Sequence, residues 1–305
     1  MNVIVWIILC LIWGSTWIFI KIGLEELPPI TFAVSRFLLS AVLLVPVIFF
    51  KKLPFPRTGS TWRLLILTGV LQFTINYSTV FWAEQHITSG LAAVLQAMIT
   101  VFGLVLAWIF LPAERITPIK IVAVAIGIIG VGIIFADQLR VESTLAFAGA
   151  AAIVIGAYAA AQASILIKAR AGGLDPVIIL FVQMICGLPP LIIYALAAEG
   201  SPFHHHWGMR STVSVLYLSI AGTIAAFWLY YWLLARIEST KAMMISLITP
   251  LIAVVIGNIV LGETLPPQTI FGGSLILASI ALIVFRRRKI HEDPHQIAAV
   301  SEIQA

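Results

Sequence analysis

The chain has 305 residues, of which 61% are hydrophobic and 10% charged, and its mean hydropathy is +1.08. A soluble domain carries roughly 25% charged residues, so this composition describes an integral membrane protein. The formal net charge of +5 is scattered over short loops without a basic stripe, which argues against a nucleic-acid partner and leaves the cations as topology signals.

Crossing a hydrocarbon core about 30 Å thick takes about 20 apolar residues, and the chain offers ten such runs. The first, Val3–Ile22, lacks the cationic start and the small-residue cleavage site of a signal peptide and is expected to be retained. Its stretch "CLIWGSTWIFIKIG" sets Gly14, Ser15 and Thr16 between Trp13 and Trp17. The small residues let a neighbouring helix approach closely, and the two tryptophans, one turn apart, are candidate cavity walls. The second run, Thr31–Phe50, carries Arg36, the one arginine inside a predicted span. Close to its helix end, Arg36 is expected to snorkel and to pair structurally with Glu25, Glu26 or Glu84; the competing reading joins it with Lys21 in a cationic mouth for carboxylates.

The third run, Leu64–Ala83, aligns Gln72, Asn76 and Thr79 on one helical face beside Tyr77, and the fourth, Gly90–Leu111, aligns Gln96, Thr100 and Gly103. Ile116–Phe135 follows. Leu145–Ile167 pairs Tyr158 with Gln162, and Pro176–Ala197 pairs Gln183 with Gly187. Thr212–Leu234 supplies Trp228, Tyr231 and Trp232. Lys241–Leu261 supplies Ser246, Thr249 and Pro250, the proline freeing a carbonyl about one turn earlier. Pro266–Phe285 closes the membrane part, and residues 286–305, "RRRKIHEDPHQIAAVSEIQA", read as a cationic stop followed by a short disordered end.

Polar groups are costly in lipid and are expected to face protein or a water-filled cavity. The substrate-binding candidates are therefore Trp13, Trp17, Asn76, Tyr77, Gln96, Thr100, Tyr158, Gln162, Trp228, Tyr231, Ser246 and Thr249. Interhelical hydrogen bonds, worth about 0.6 to 2 kcal/mol each, are the competing use of the same groups. With an even number of spans the termini share a side. Placing them in the cytoplasm puts 14 lysines and arginines inside and 3 outside, with Arg36 in a span, the bias expected of that orientation.

Sliding the sequence along itself exposes a duplication. At an offset of 147, Lys21 meets Lys168, Pro29 meets Pro176 and Arg36 meets Gln183. At 150, Trp82 meets Trp232, Ile87 meets Ile237, Ser89 meets Ser239 and Ala92 meets Ala242; at 149, Glu114 meets Glu263, Pro118 meets Pro267 and Ile121 meets Ile270. Two five-helix units are predicted, residues 1–143 and 144–285, followed by the tail 286–305. Because five is odd, the second unit enters the membrane upside-down, which is the architecture of alternating-access carriers with a site between the halves.

The "WGSTWIFIK" of the first run, the "TFAVSRFLLSA" that opens the second, and a glutamate followed by proline and a glycine-rich run in both halves (Glu114 to Gly132, Glu263 to Gly273) resemble the EamA family of the drug/metabolite transporter superfamily. The resemblance covers nearly the whole chain except its last twenty residues. It implies an all-α integral membrane fold of ten transmembrane helices, built as two inverted five-helix repeats. It further implies a secondary carrier of small metabolites, commonly an exporter of amino acids or related compounds, with cytoplasmic termini. The central cavity would be lined mainly by the first, third, fourth, sixth, eighth and ninth helices.

The short loops suit a bacterial inner membrane. Sugars, nucleotide-linked metabolites and drugs remain open as alternative cargo. No Walker, zincin or G-x-S-x-G motif is present, which argues against an ATP-driven pump or a hydrolase. A lipid-acting enzyme would need a nucleophile or carboxylate pair facing the interface, and a passive scaffold gains nothing from two opposed halves. Cys10 and Cys186 read as small core residues. The consecutive His204, His205 and His206 cannot converge on a metal as spaced ligands do, so no metal or other cofactor is expected. Glu84 and His86 are the one titratable pair suited to proton coupling, and they stand at the outer end of a span. Oligomeric state is open.

Overall fold

The computed structural model describes residues 1–83, 85–87, 89–136, 143–202, 205, 207–261 and 267–284. Among them there is no β-strand, and a helix stands at each predicted apolar run. The elements are α1 (Asn2–Gly23), α2 (Pro29–Lys51), α3 (Gly59–Gly69), α4 (Tyr77–Ala83), α5 (Ser89–Gln96), α6 (Met98–Phe110) and α7 (Pro118–Ile134). They are followed by α8 (Thr144–Arg170), α9 (Pro176–Ala198), α10 (Met209–Ser219), α11 (Ala226–Leu234), α12 (Ser239–Met243), α13 (Ile245–Leu261) and α14 (Pro267–Val284). Seven uninterrupted or lightly interrupted helical stretches are long and apolar enough to cross a membrane, and three apolar helices are shorter, Val94–Phe110, Pro118–Ile134 and Pro267–Ile283. Glu263 and the tail 286–305 lie outside the described residues.

Local chemistry sets the helix starts. Pro29, Pro118 and Pro176 each open a helix where a missing N–H costs nothing. Asp175 accepts from Val177 N at 2.8 Å and Ser143 from Ala146 N at 3.1 Å, satisfying donors that an α-helix leaves free in its first turn. Lys52 ends α2 in the left-handed conformation, φ 49°. The outer surface is apolar, with Phe49, Phe50 and Ile259 all more than 70% exposed, as expected where lipid replaces water.

Four of the predicted spans are broken, which simple 3.6-residue counting does not anticipate. Between α3 and α4 the residues Val70–Asn76 form a π-helical segment, and between α10 and α11 the residues Ile220–Ala225 do the same. Single residues out of helical register, Ala97 and Met244, separate α5 from α6 and α12 from α13. These breaks recur along the chain at offsets of 150 and 147. A π segment inserts a residue into the helix and shifts its backbone hydrogen bonds to i→i+5, a change of register often found at functional sites.

Glycine sets how closely helices pack. A Cβ on Gly130 of α7 would stand 2.6 Å from the Gly272 carbonyl oxygen of α14, and one on Gly272 would stand 2.5 Å from that of Gly130. The two helices touch backbone to backbone, the close approach that small residues permit in membranes. Gly14 of α1 faces Ile252 of α13 with no room for a Cβ.

Replacing Gly130 by Val should overpack this seam and cost about 1 to 3 kcal/mol or more. Gly132→Val meets nothing within 4 Å and should be nearly neutral. Thermal unfolding in detergent is expected to show a clear loss of Tm for Gly130→Val alone; equal Tm values would disprove the backbone contact.

Candidate functional site

At the centre of the bundle is a cavity of about 200 Å³, room for several waters at about 30 Å³ each. Its walls come from α1 (Trp13, Thr16, Trp17, Ile20), the first π segment and α4 (Gln72, Asn76, Tyr77, Val80, Phe81), and α5 and α6 (Gln96, Ile99). The later part of the chain adds Ala160 and Ser164 of α8, Phe227 and Tyr230 of α11, Ala242 and Met243 of α12, and Ile245, Ser246 and Thr249 of α13. Elements of both predicted units therefore share one chamber. The second span also takes part, through Arg36.

Of the candidates read from the sequence, Trp13, Trp17, Asn76, Tyr77, Gln96, Ser246 and Thr249 line this cavity together. Gln96 Nε2 donates to Asn76 Oδ1 at 3.2 Å, while Gln96 Oε1 is buried and accepts no hydrogen bond. Trp13 donates its indole N–H to the Gly222 carbonyl at 3.2 Å and packs its ring against Phe227 and Tyr230, centroids 5.5 and 5.3 Å away. Pro250 leaves the Ser246 carbonyl without its helical donor, and the Thr249 hydroxyl faces it at 3.5 Å.

Five candidates stand elsewhere. Thr100 lies fully buried behind the wall, donating to the Met243 carbonyl at 3.1 Å and sharing a hydrogen bond with Ser246 Oγ at 2.9 Å. Tyr231 donates to Gln183 Oε1 at 2.5 Å, and Gln183 Nε2 donates in turn to Thr68 Oγ1 at 2.8 Å. Tyr158 and Trp228, 45% and 43% exposed, face outward; Tyr158 meets the edge of Phe102. Gln162 of α8 does not line the chamber. The reason is register: α8 and α11 are apolar all round, so composition gives no facing. In α8 the cavity takes the small Ala160 and Ser164, not the larger polar pair. In α11 it takes Phe227 and Tyr230, one residue earlier than each expected aromatic. Helical spacing carried no signal for these, beyond the i, i+3 separation of two aromatics.

Arg36 departs most from expectation. It is 4% exposed and does not snorkel, because α2 is covered by α10 and the second π segment. Its Nε donates to Thr223 Oγ1 at 2.8 Å and its Nη2 to the Gly222 carbonyl at 3.0 Å, and its guanidinium lies 5.2 Å from the Phe37 ring centroid and 5.6 Å from that of Tyr77. No carboxylate among the described residues pairs with it. Glu25 pairs instead with Arg210 at 2.7 Å, and Glu26 accepts from the backbone N–H of Gly208 and Ser211 at 3.1 and 2.9 Å, at the start of α10. Glu84 lies outside the described residues.

One end of the bundle is tied by buried charge. Glu114, 7% exposed, accepts from Ser239 N at 3.1 and 2.9 Å and from Ser239 Oγ at 2.5 Å, and pairs with Lys168 Nζ at 2.5 Å. Lys168 also donates to the Ile237 carbonyl. The loop after α6, the end of α8 and the start of α12 thus meet at one carboxylate. Among the described residues no group of three or more His, Cys, Asp or Glu is placed to hold a metal ion; of the three histidines only His205 is described.

A multi-pass helical membrane protein with a solute-sized chamber at its centre, and a wall of aromatic rings, amides and hydroxyls, has the form of a membrane transporter. The chain belongs to the EamA-like transporter family, whose model matches residues 1–136 and 147–285. It is 24% identical over 282 residues to an uncharacterized transporter of Bacillus subtilis, covering 92% of this chain and 96% of that one. It is 27% identical over 289 residues to a probable amino-acid metabolite efflux pump of Salmonella typhimurium, covering 92% of this chain and 93% of that protein, and 26% identical over 291 residues to a protein so named in Escherichia coli, covering 92% and 94%. A solved crystal structure shares the fold with a TM-score of 0.80 at 14% identity, over 93% of this chain and 96% of that one.

Removing the Glu114 carboxylate should leave Lys168 and the Ser239 N–H without their partner. Glu114→Ala is expected to destabilise by about 3 to 5 kcal/mol, as buried pairs do when one member is lost. Arg210→Ala, at an exposed pair, should cost less than about 1 kcal/mol. Denaturation of the two variants in detergent checks the ranking, and an equal loss would disprove the buried tie.

Proposed function

We propose that the protein is a secondary transporter that moves small metabolites by alternating access, as an exporter of amino acids or related compounds. In this reading the chain is built from two inverted five-helix repeats, residues 1–143 and 144–285, followed by a cytoplasmic tail. It sits in a bacterial inner membrane with both termini in the cytoplasm. The observation that carries the reading is the shared chamber: one small cavity whose walls come from early and late elements alike. Rocking of one half against the other would open such a chamber to alternate sides. Two further features support it, the recurrence of the helix breaks at nearly constant offset and the separate matches of the family model to the two parts of the chain. The names of the Salmonella and Escherichia relatives support the amino-acid cargo and the outward direction, as does the chamber's composition. Pockets for small solutes are mostly apolar with a few placed polar groups, and here Asn76 and Gln96 supply amides among Trp13, Trp17, Tyr77 and Phe227.

Purified protein in liposomes preloaded with a mixture of amino acids should release a subset of them faster than empty vesicles. Trp17→Ala and Asn76→Ala should each slow release, with KM raised about fivefold where a hydrogen bond worth about 1 kcal/mol is lost. Tyr158→Ala and Trp228→Ala should transport normally. Absence of flux for every solute would sink the transporter reading; normal flux in the first two variants would sink only the site.

A further inference from the structure

Arg36 is the one charged side chain lining the central cavity among the described residues. Burying a cation in a bundle that spans lipid costs several kcal/mol unless it is compensated, and the compensation here is partial. The hydrogen bonds to Thr223 and Gly222 and an interaction with the Tyr77 hydroxyl still leave N–H donors of the five in the guanidinium fork uncommitted, and its described neighbours, Phe37 and Tyr77 among them, are uncharged.

The structural task alone does not require the charge. At the matching position of the other unit, offset by 147, stands Gln183. Gln183 is fully buried and bridges Thr68 and Tyr231 beside the first π segment, much as Arg36 braces the second. Gln183 is absent from the cavity wall and Arg36 is on it. A neutral amide performs the brace away from the cavity; the guanidinium stands on the cavity wall.

We infer that Arg36 is the anchor for a carboxylate of the transported solute. This rests on the cavity being the solute site. The guanidinium fork accepts a carboxylate by two parallel N–H···O bonds. A single cation, with no second lysine or arginine among the described lining residues, matches a monoanion and not a phosphate dianion. The rings of Trp13, Trp17, Tyr77, Phe81 and Phe227 surround an apolar body. Gln96 Oε1, an acceptor without a hydrogen bond, supplies a partner for a donor such as an ammonium. The ligand class is a monocarboxylate with an apolar body, an α-amino acid being the member that uses both polar ends.

Ligand-induced thermal shift and titration of the purified protein in detergent test this with matched probes: L-phenylalanine against L-phenylalaninamide, and 3-phenylpropionate against 3-phenylpropanamide. The wild type should be stabilised by the acids and not by the amides. Arg36→Gln, the residue the matching position already uses, should bind the acids about tenfold or more weakly and lose the preference. Arg36→Lys should retain the preference for acids with weaker binding, since a point charge lacks the fork. Equal response of the wild type to acid and amide, or to neither, overturns the inference. So does an Arg36→Gln protein that keeps the preference, or, where that variant does not fold, an Arg36→Lys protein that binds acid and amide alike. An acid preference without flux in liposomes removes the exporter reading and keeps the anchor; flux without acid preference does the reverse.

Discussion

The carbonyl of Gly222 accepts from two side chains at once, Arg36 Nη2 at 3.0 Å and Trp13 Nε1 at 3.2 Å. It is a backbone group within a helix, yet it serves two side chains from other helices. It lies in the π segment Ile220–Ala225, and the break and the arginine support each other: the segment gives the buried guanidinium a backbone acceptor beside the Thr223 hydroxyl, and the guanidinium and the indole give that carbonyl donors inside the membrane. Ser40 and Ser219 reinforce the same joint, Ser40 Oγ reaching the Ser219 carbonyl at 3.2 Å and Ser219 Oγ the Arg36 carbonyl at 2.9 Å. Gly222 has no room for a side chain here, since a Cβ would stand 2.9 Å from Thr16 Cγ2 and 3.4 Å from Arg36 Nη2. The position of Trp13 on the cavity wall, and with it the packing of Phe227 and Tyr230, follows from this one junction.

The first π segment is held by different chemistry. Thr74 Oγ1 donates to the Gly187 carbonyl at 2.7 Å, Gln183 links Thr68 to Tyr231, and a Cβ on Gly187 would stand 2.7 Å from the Gly69 carbonyl oxygen. Hydroxyls, an amide and glycine contacts suffice, so a break of this kind does not in itself call for a formal charge. Two stretches of chain that carry the same breaks at nearly the same offset have filled the bracing position with unlike side chains. The chamber is correspondingly lopsided, with its cation on one wall and the Asn76–Gln96 amide pair contributed by another pair of elements.

Much of the helical layout was legible because length and hydropathy alone select segments able to cross lipid. The amide face was legible too: Gln72 and Asn76 stand out against apolar neighbours and lie within one short segment, so helical spacing held over that distance. Facing was not legible on α11, where an inserted residue upstream rotates everything that follows and every position is apolar or aromatic. On α8 the cavity-facing Ala160 and Ser164 are small, and small residues equally mark helix contacts; Gly156 on the same helix does serve a contact, against the Asn76 carbonyl. The snorkelling expected of Arg36 failed for a tertiary reason. Distance from a helix end measures depth only for a helix that faces lipid, and this side of α2 is covered by α10 and the second π segment.

The ends and the middle of the molecule are joined by forces that respond differently to separation. The α7–α14 seam is carbonyl against glycine across closely packed backbones, contacts that water does not replace. Glu114 with Ser239 and Lys168, Glu199 with the N–H groups of Ile30 and Thr31 at 2.8 and 2.6 Å, and Glu26 with those of Gly208 and Ser211 are instead carboxylates seated on the starts of helices from elsewhere in the chain. Such bonds are strong while dry, yet net stabilisation per hydrogen bond is only about 0.5 to 1.5 kcal/mol once water can take the partner's place, and about 1.5 to 3 kcal/mol where a charge is involved. Movement of one part of the bundle against another, which the proposed function requires, would have to let water take the partner's place at these charged ends. The glycine seam offers water no such exchange, since its close backbone approach leaves no room for a solvent molecule between the two helices.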